Sequence, residues 1–141
     1  MEISTRGRYS LCFMIFVAQH SNGNFVSLRD VSESQGISIK YLEQITALLS
    51  KAGLLVSARG PAGGYKLSKP VEQYSAAEIL RVTEGHLAPE VSEGGAKKKG
   101  QISTRRFWEG LGKAIERFLE SVSLKDLVEQ SAGEENYVYV I

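Results

Sequence analysis

Two short predicted helices meet across Gly36-Ile37-Ser38, and this junction constrains the fold more than any other feature of the sequence. Ser27 is placed to cap the first helix, which ends at Gly36, a residue suited to the left-handed conformation that closes helices. Ser38 caps the second, which ends at Gly53. Its predicted buried positions are Leu42, Ile45, Leu49 and Ala52. The pattern is typical of a helix-turn-helix, with an ordinary helical hairpin as the alternative.

A predicted β-hairpin follows the second helix directly. Residues 54–58 favour a strand, residues 59–64 form a loop rich in Gly and Pro, and residues 65–67 form the returning strand. A hairpin in this place is the wing of a winged helix-turn-helix. Arg59 and Gly60 lie at its tip, where a guanidinium on a thin backbone can approach the minor groove of DNA. A solvated loop charge is the alternative for Arg59.

The second helix of the pair offers polar groups on the side opposite its apolar positions. Gln44 suits the N6 and N7 edge of adenine, and Glu43 can accept from N4 of cytosine. Both lie near its N-terminal end, the part that meets base edges in this motif. Phosphate contacts are predicted for Ser38, Lys40 and Tyr41, and for Arg6 and Arg8 near the start of the first helix of the chain. A solvated helix face is the alternative for each.

The distribution of charge supports a polyanion-binding N-terminal half. The net charge is +1, but the first 70 residues carry eight Lys and Arg against four Asp and Glu, and residues 71–141 carry nine against twelve. A basic half joined to an acidic half is typical of a nucleic-acid-binding module attached to another element. A winged helix that binds only protein is the alternative, and the basic excess argues against it.

The C-terminal half is predicted to contain a helix that needs a partner surface. Ser75 and Glu78 form a capping box for a helix that ends at Gly85. From about residue 103, large apolar residues alternate at spacings of three and four, as in a coiled-coil seam. The seam residues are Trp108, Leu111, Ile115, Phe118 and Val122, widened by Phe107, Ala114 and Leu119. We expect a homodimer through this helix, and burial against its own domain is the alternative.

These patterns divide the chain into four predicted segments. Residues 1–85 form a winged helix-turn-helix domain with a fourth helix, and residues 86–102 form a flexible loop. Residues 103–133 form the dimerisation helix and a short closing helix, and residues 134–141 are a tail, strand-like over Tyr137–Ile141. The predicted fold class is mainly α with a small β-hairpin wing.

Several classes of protein are not expected. No apolar run reaches the roughly 20 residues of a membrane span, and no signal-peptide cleavage site follows the apolar stretch after Arg8, so a cytoplasmic protein is expected. The histidines are His20 and His86 only, and the loop Gly60–Gly64 lacks the context of a phosphate-binding loop, which argues against an enzyme. The single cysteine, Cys12, argues against an intrachain disulfide, a zinc ribbon and an all-cysteine cluster site, and no metal or cofactor is predicted.

Cys12 supplies the alternative function. Its spacing with Tyr9, Phe13 and Phe16 predicts a buried thiol inside an apolar helix, which is usually inert. The alternative function is therefore a repressor that senses oxidants through Cys12 or that responds to a small ligand.

Five motifs, in order along the chain, resemble those of the Rrf2 family of bacterial transcription regulators. They are Ile3–Tyr9, Gln35–Ser38, Tyr41–Gln44, Lys51–Leu54 and Arg59–Tyr65. The resemblance covers nearly the whole chain. It implies a winged-helix domain, a long C-terminal dimerisation helix and a palindromic DNA operator, with Glu43, Gln44 and Arg59 as the base-reading residues.

The loop before the dimerisation helix departs from the cluster-binding members of that family. Those members carry three cysteines there, whereas this sequence has none and has Arg105 in place of a ligating histidine. A closer resemblance is to the cluster-free branch that represses cysteine-metabolism genes, through Phe107-Trp108, Ser123–Leu127 and Tyr137–Ile141. That branch implies sulfur-linked repression strengthened by a complex with cysteine synthase.

Overall fold

The computed structural model describes residues 2–92, 94–95 and 98–140. These residues form six α-helices, one short 3-10 helix at Val71–Gln73 and one antiparallel two-stranded sheet. The helices are α1 (Thr5–His20), α2 (Leu28–Gln35), α3 (Ile39–Lys51), α4 (Ala76–Glu84), α5 (Arg105–Ser121) and α6 (Leu124–Val140). The strands are β1 (Leu55–Ala58) and β2 (Gly64–Leu67), between α3 and α4. The predicted class, mainly α with a hairpin wing after a helix-turn-helix, is confirmed.

Serine caps explain where the helices of the N-terminal half begin. The hydroxyl oxygens of Ser4, Ser27 and Ser38 each accept a backbone N–H three residues ahead, at 3.0, 3.1 and 3.1 Å. Gly36 closes α2 with φ of 69°, so the chain turns and α3 begins at Ile39. The short turn between α2 and α3 thereby positions the two helices of the motif.

The main hydrophobic core lies between α1, α2, α3 and the beginning of α6. Side chains that are completely buried in it include Phe13, Val17, Val31, Leu42, Ile45, Leu49 and Leu124. The prediction that Ala52 is also buried is wrong, because Ala52 follows the last residue of α3 and is exposed. Gly53, with φ of 79°, then directs the chain away into the hairpin.

Cys12 is exposed, so the prediction of a buried thiol is wrong. The buried side of α1 runs through Phe13, Met14, Phe16 and Val17, and Cys12 lies outside it. Because apolar residues surround this helix on most sides, their spacing alone does not identify the buried side.

The closing helix is longer than predicted. α6 begins at a reciprocal capping box, in which the Asp126 N–H donates to Ser123 Oγ at 3.0 Å and the Ser123 N–H donates to Asp126 Oδ2 at 2.9 Å. The backbone is helical to Val140, so the strand-like tail predicted for Tyr137–Ile141 is wrong as far as Val140; Ile141 lies outside the described residues. Tyr and Val are enriched in strands, but that preference depends on context, and continuing the helix pairs the backbone N–H and C=O groups internally.

Hydrogen bonds attach the start of α6 to the N-terminal domain. The Ala76 N–H donates to Val122 O at 2.8 Å, and the Leu124 N–H donates to Tyr74 O at 3.0 Å. The C-terminal helices therefore continue from a junction fixed beside α4. Among the described residues, no helix has both the length and the apolarity needed to cross a membrane.

Candidate nucleic-acid interface

The polar side of α3 is free in the structure, as its sequence pattern predicts. Leu42, Ile45 and Leu49 are completely buried, and the opposite side is exposed. The predicted contact residues on that exposed side are Ser38, Lys40, Glu43 and Gln44. The Ser38 hydroxyl oxygen accepts the Tyr41 N–H at 3.1 Å, which leaves its O–H available as a donor to a phosphate oxygen. A side chain on this face can reach a groove without disturbing the core.

The start of α1 lies beside α3. Tyr41 is half-buried, and its ring packs edge-on against the ring of Tyr9 with centroids 5.5 Å apart. The guanidinium carbon of Arg8 lies 5.8 Å from the centroid of the same Tyr9 ring. Arg6 and Arg8 are both exposed. The aromatic pair thus places the predicted phosphate contacts of α1 on the same side of the domain as the start of α3.

The wing presents Arg59 and Gly60 at an exposed tip. β1 and β2 pair from Leu55↔Leu67 to Ala58↔Gly64, and Gly60 has φ of 99°. The hairpin is also joined to the segment before α2, since Val26 and Tyr65 exchange two backbone hydrogen bonds of 2.8 Å each. This pairing sets the position of the wing relative to the helix-turn-helix.

Tyr74 supports the base of the wing, a role that the sequence did not predict. It is 1% exposed, and its hydroxyl donates to Leu54 O at 2.6 Å while accepting the Ser68 N–H at 2.9 Å. The Ser68 hydroxyl donates to Gly53 O at 2.7 Å. These bonds join the end of α3, the beginning of β1 and the end of β2. Backbone partners of this kind follow from the chain path, and no sequence motif marks them.

Positive charge on this side of the domain is not neutralised by nearby carboxylates. Across the described part of the chain, no ion pair involves Arg6, Arg8, Lys40 or Arg59. Arg29 differs, because its hydrogen bond to Glu33 at 3.0 Å raises the pKa of the guanidinium and pairs its charge. The four unpaired side chains therefore remain available to a polyanion.

An apolar side of α5 remains uncovered within one chain. Phe107, Leu111 and Phe118 lie in the predicted dimerisation helix, and their side chains are 64%, 37% and 66% exposed in a single chain. Trp108 and Ile115 are half-buried, and Gly112 is the one residue of α5 that is buried. Val122 is also half-buried, but the prediction that it continues the helical seam is wrong, because α5 ends at Ser121 and Val122 is extended. A groove of about 400 Å³ beside this side is lined by Ile3, Leu87, Ala114, Ile115, Phe118 and Leu119. We call the exposed side chains Phe107, Leu111 and Phe118, together with this groove, the apolar α5 face.

A second cavity, of about 410 Å³, lies between α5 and the residues that follow α4. Its lining includes Pro89 and Ser92 from that segment and Arg105, Trp108 and Lys113 from α5. In the described part of the chain, no three His, Cys, Asp or Glu side chains are grouped as metal ligands would be. The cavity contains charged groups and an indole, and none of its lining residues supplies a thiol.

Comparisons of the sequence and of the structure with known proteins find similar transcriptional regulators. The profile of the Rrf2 family, described as an iron-dependent transcriptional regulator, matches residues 3–130. The HTH-type transcriptional regulator IscR of Cereibacter sphaeroides is 38% identical over 91% of this chain and 87% of its own length. The structure of CymR, the global cysteine regulator of B. subtilis, superimposes with a TM-score of 0.80 at 35% identity, over 92% of this chain and 98% of CymR. The structure of T. potens IscR superimposes with a TM-score of 0.74 at 37% identity, over 93% of this chain and 88% of that IscR chain.

Proposed function

This chain belongs to the Rrf2 family of DNA-binding transcriptional regulators, and on that premise we propose that it is a dimeric repressor that binds a palindromic operator without an iron–sulfur cluster. One observation carries the proposal. A single domain exposes three polar or basic groups: one side of α3, Arg59 on the wing and Arg8 on α1. Neither arginine belongs to an ion pair in the described part of the chain. DNA offers edges and phosphates that match all three.

In the proposed complex α3 enters the major groove. Gln44 and Glu43 then meet base edges, while Ser38, Lys40 and Tyr41 contact phosphate oxygens beside the groove. Arg59 reaches the adjacent minor groove, and the absence of a side chain at Gly60 permits close approach of the backbone. Arg6 and Arg8 contact phosphates from the start of α1.

A second copy of this chain is the proposed occupant of the apolar α5 face. A twofold axis would pair the same surface on both copies, burying aromatic side chains that are exposed in one chain. Two reading helices would then face half-sites about 34 Å apart, one helical turn of DNA. A palindromic operator follows from that symmetry.

The iron in the description of the family does not fit this sequence. Iron–sulfur clusters are held by several thiolates, and the chain has one cysteine, Cys12, which lies on α1. The segment between α4 and α5 has no cysteine. A role in cysteine metabolism is the narrower hypothesis, supported by the similarity to the CymR fold and by the missing cluster ligands. An association with cysteine synthase stays a prediction from the family resemblance.

Substitutions at the interface test the DNA-binding proposal. Gln44→Ala or Arg59→Ala should each weaken binding to a selected palindromic duplex by about 1–3 kcal/mol and relax the sequence preference, because each removes a base contact. Arg8→Ala should weaken binding to all duplexes and reduce the steepness of the salt dependence. The magnitude of the negative slope of log K against log salt, with K the association constant, should fall by about one. Fluorescence anisotropy over a salt series measures both quantities.

Arg106→Ala is the matched control for these variants, since Arg106 is an exposed arginine on α5. It should leave both affinity and salt slope close to the wild-type values. A uniform loss of affinity for Gln44→Ala, Arg59→Ala and Arg8→Ala, with unchanged sequence preference, would contradict the assignment of base-reading residues.

A redox-responsive repressor is the second candidate function, and the exposure of Cys12 favours it. The thiol lines a small cavity of about 100 Å³ together with Ile15, Gln19 and Gln35, on the helix that carries Arg6 and Arg8. A peroxide can oxidise an accessible thiol to a sulfenic acid with loss of water.

Peroxide treatment should then reduce the DNA affinity of the wild-type protein by about tenfold, a shift of about 1.4 kcal/mol, and leave the affinity of Cys12→Ser unchanged. The reduced proteins should bind equally well in the same assay. If peroxide affects both proteins alike, or neither, Cys12 is not the sensor.

A further inference from the structure

We propose that Glu84 is a positioning residue for DNA binding, which holds the start of α1 so that Arg6 and Arg8 face the phosphates. Glu84 is the last residue of α4, and its carboxylate accepts the Ser4 O–H at 2.5 Å and the Ser4 N–H at 3.3 and 3.4 Å. The two residues are 80 positions apart in the chain. The proposal rests on the proposed function, because it concerns the same phosphate contacts.

The Ser4 hydroxyl links the carboxylate to the first turn of α1. Its oxygen accepts the Gly7 N–H at 3.0 Å as the cap of the helix, while its O–H donates to Glu84 Oε1. A negative charge at this end also complements the partial positive charge of the helix N-terminus. Ser4 is thus fixed on both sides, and a hydrogen bond to a carboxylate is about twice as strong as a neutral one.

Gly7 is the second observation that points to this contact. Gly7 is buried, and a Cβ at this position would overlap Glu84 Oε1 and come within 3.1 Å of Ile3 Cγ2. Alanine is the better helix former, so the local sequence of α1 gives no reason for glycine here. The space that it leaves is occupied by the carboxylate of Glu84.

The local preference of α4 also does not explain an acidic residue at position 84. A carboxylate at the C-terminal end of a helix is disfavoured by the helix dipole. The contact with α1 accounts for it. None of the ion pairs that the structure describes joins Glu84 to Arg6 or Arg8. Glu84 therefore holds Ser4, whose hydroxyl caps the turn that carries these arginines, and leaves their guanidinium groups without an ion pair to it.

The salt dependence of DNA binding separates this role from a merely structural one. The full-length protein is measured on a selected palindromic duplex and on a scrambled duplex of the same length. Glu84→Ala should lower the magnitude of the slope of log K against log salt by about one to two. It should also reduce affinity for both duplexes by about fivefold per lost phosphate contact at 0.15 M salt. Circular dichroism shows that each variant is folded at the assay temperature.

Two further variants and a matched control complete the test. Glu84→Gln retains an oxygen that accepts the Ser4 O–H, so the salt slope should return to the wild-type value. Gly7→Ala should reproduce the loss of slope, because its methyl group displaces the carboxylate although it favours the helix. Glu90→Ala removes the same charge from an exposed carboxylate just beyond α4, and should leave the slope unchanged.

An unchanged salt slope in Glu84→Ala, whether or not the affinity falls, overturns the proposal when Arg8→Ala does lower the slope. A slope that stays low in Glu84→Gln also overturns it, since the hydrogen bond is then not the cause. If Arg8→Ala itself leaves the slope unchanged, the phosphate contacts of the proposed function fail as well, and the two failures are told apart by that variant.

Discussion

Phe118→Asp should convert the protein from a dimer to a monomer and reduce its affinity for a palindromic duplex by about a thousandfold. Phe118 is 66% exposed on the apolar α5 face, and burying a phenylalanine contributes about 1.5–3 kcal/mol. Because of the twofold symmetry the side chain is lost from both copies, so the dimer loses about 3–6 kcal/mol. A loss of about 4 kcal/mol, within this range, corresponds to about 1000-fold. Sedimentation velocity measures the assembly state, and fluorescence anisotropy measures DNA binding.

Lys113→Asp is the control for the introduced carboxylate, because Lys113 is exposed on α5 and lines the other cavity. It changes the net charge by two units, where Phe118→Asp changes it by one, so it is the more stringent test of an effect of charge. It should remain dimeric and bind the duplex close to the wild-type affinity. A Phe118→Asp protein that still sediments as a dimer would show that the two copies meet through another surface.

Gly64→Ala should destabilise the wing and weaken DNA binding through loss of the Arg59 contact. Gly64 has φ of 140°, a conformation that residues with a Cβ rarely adopt, and its Cβ would overlap Val26 O. The strain costs about 1–3 kcal/mol, and the two backbone hydrogen bonds between Val26 and Tyr65 contribute about 1 kcal/mol each. We therefore expect a loss of about 3–5 kcal/mol in the free energy of unfolding, measured by urea denaturation.

Gly53→Ala separates the two causes of that loss. Gly53 also has positive φ, 79°, but a Cβ there meets no atom within 4 Å. Its cost should be about 1–2 kcal/mol, from backbone strain alone. Equal losses for Gly53→Ala and Gly64→Ala would mean that the overlap with Val26 is relieved at little cost and that the wing tolerates a side chain.

The exposed surface that carries the candidate interface was largely predictable, because its signals are local. The periodicity of Leu42, Ile45 and Leu49 identified the buried side of α3 and hence the exposed side with Gln44. The same kind of argument failed for Cys12, since α1 is apolar on most sides and its period did not select the face that the core covers. Burial of that helix depends on which neighbours surround it.

The sequence by itself determined where the elements of the N-terminal half begin and end. Serine caps and glycines act through atoms within three or four residues, so Ser27, Gly36 and Ser38 specify the helix-turn-helix wherever the chain lies. Tertiary structure alone decided that Glu84 meets Ser4 and that Tyr74 supports the base of the wing. Contacts such as these depend on the path of the whole backbone and on close packing, which bring together residues that share no local pattern.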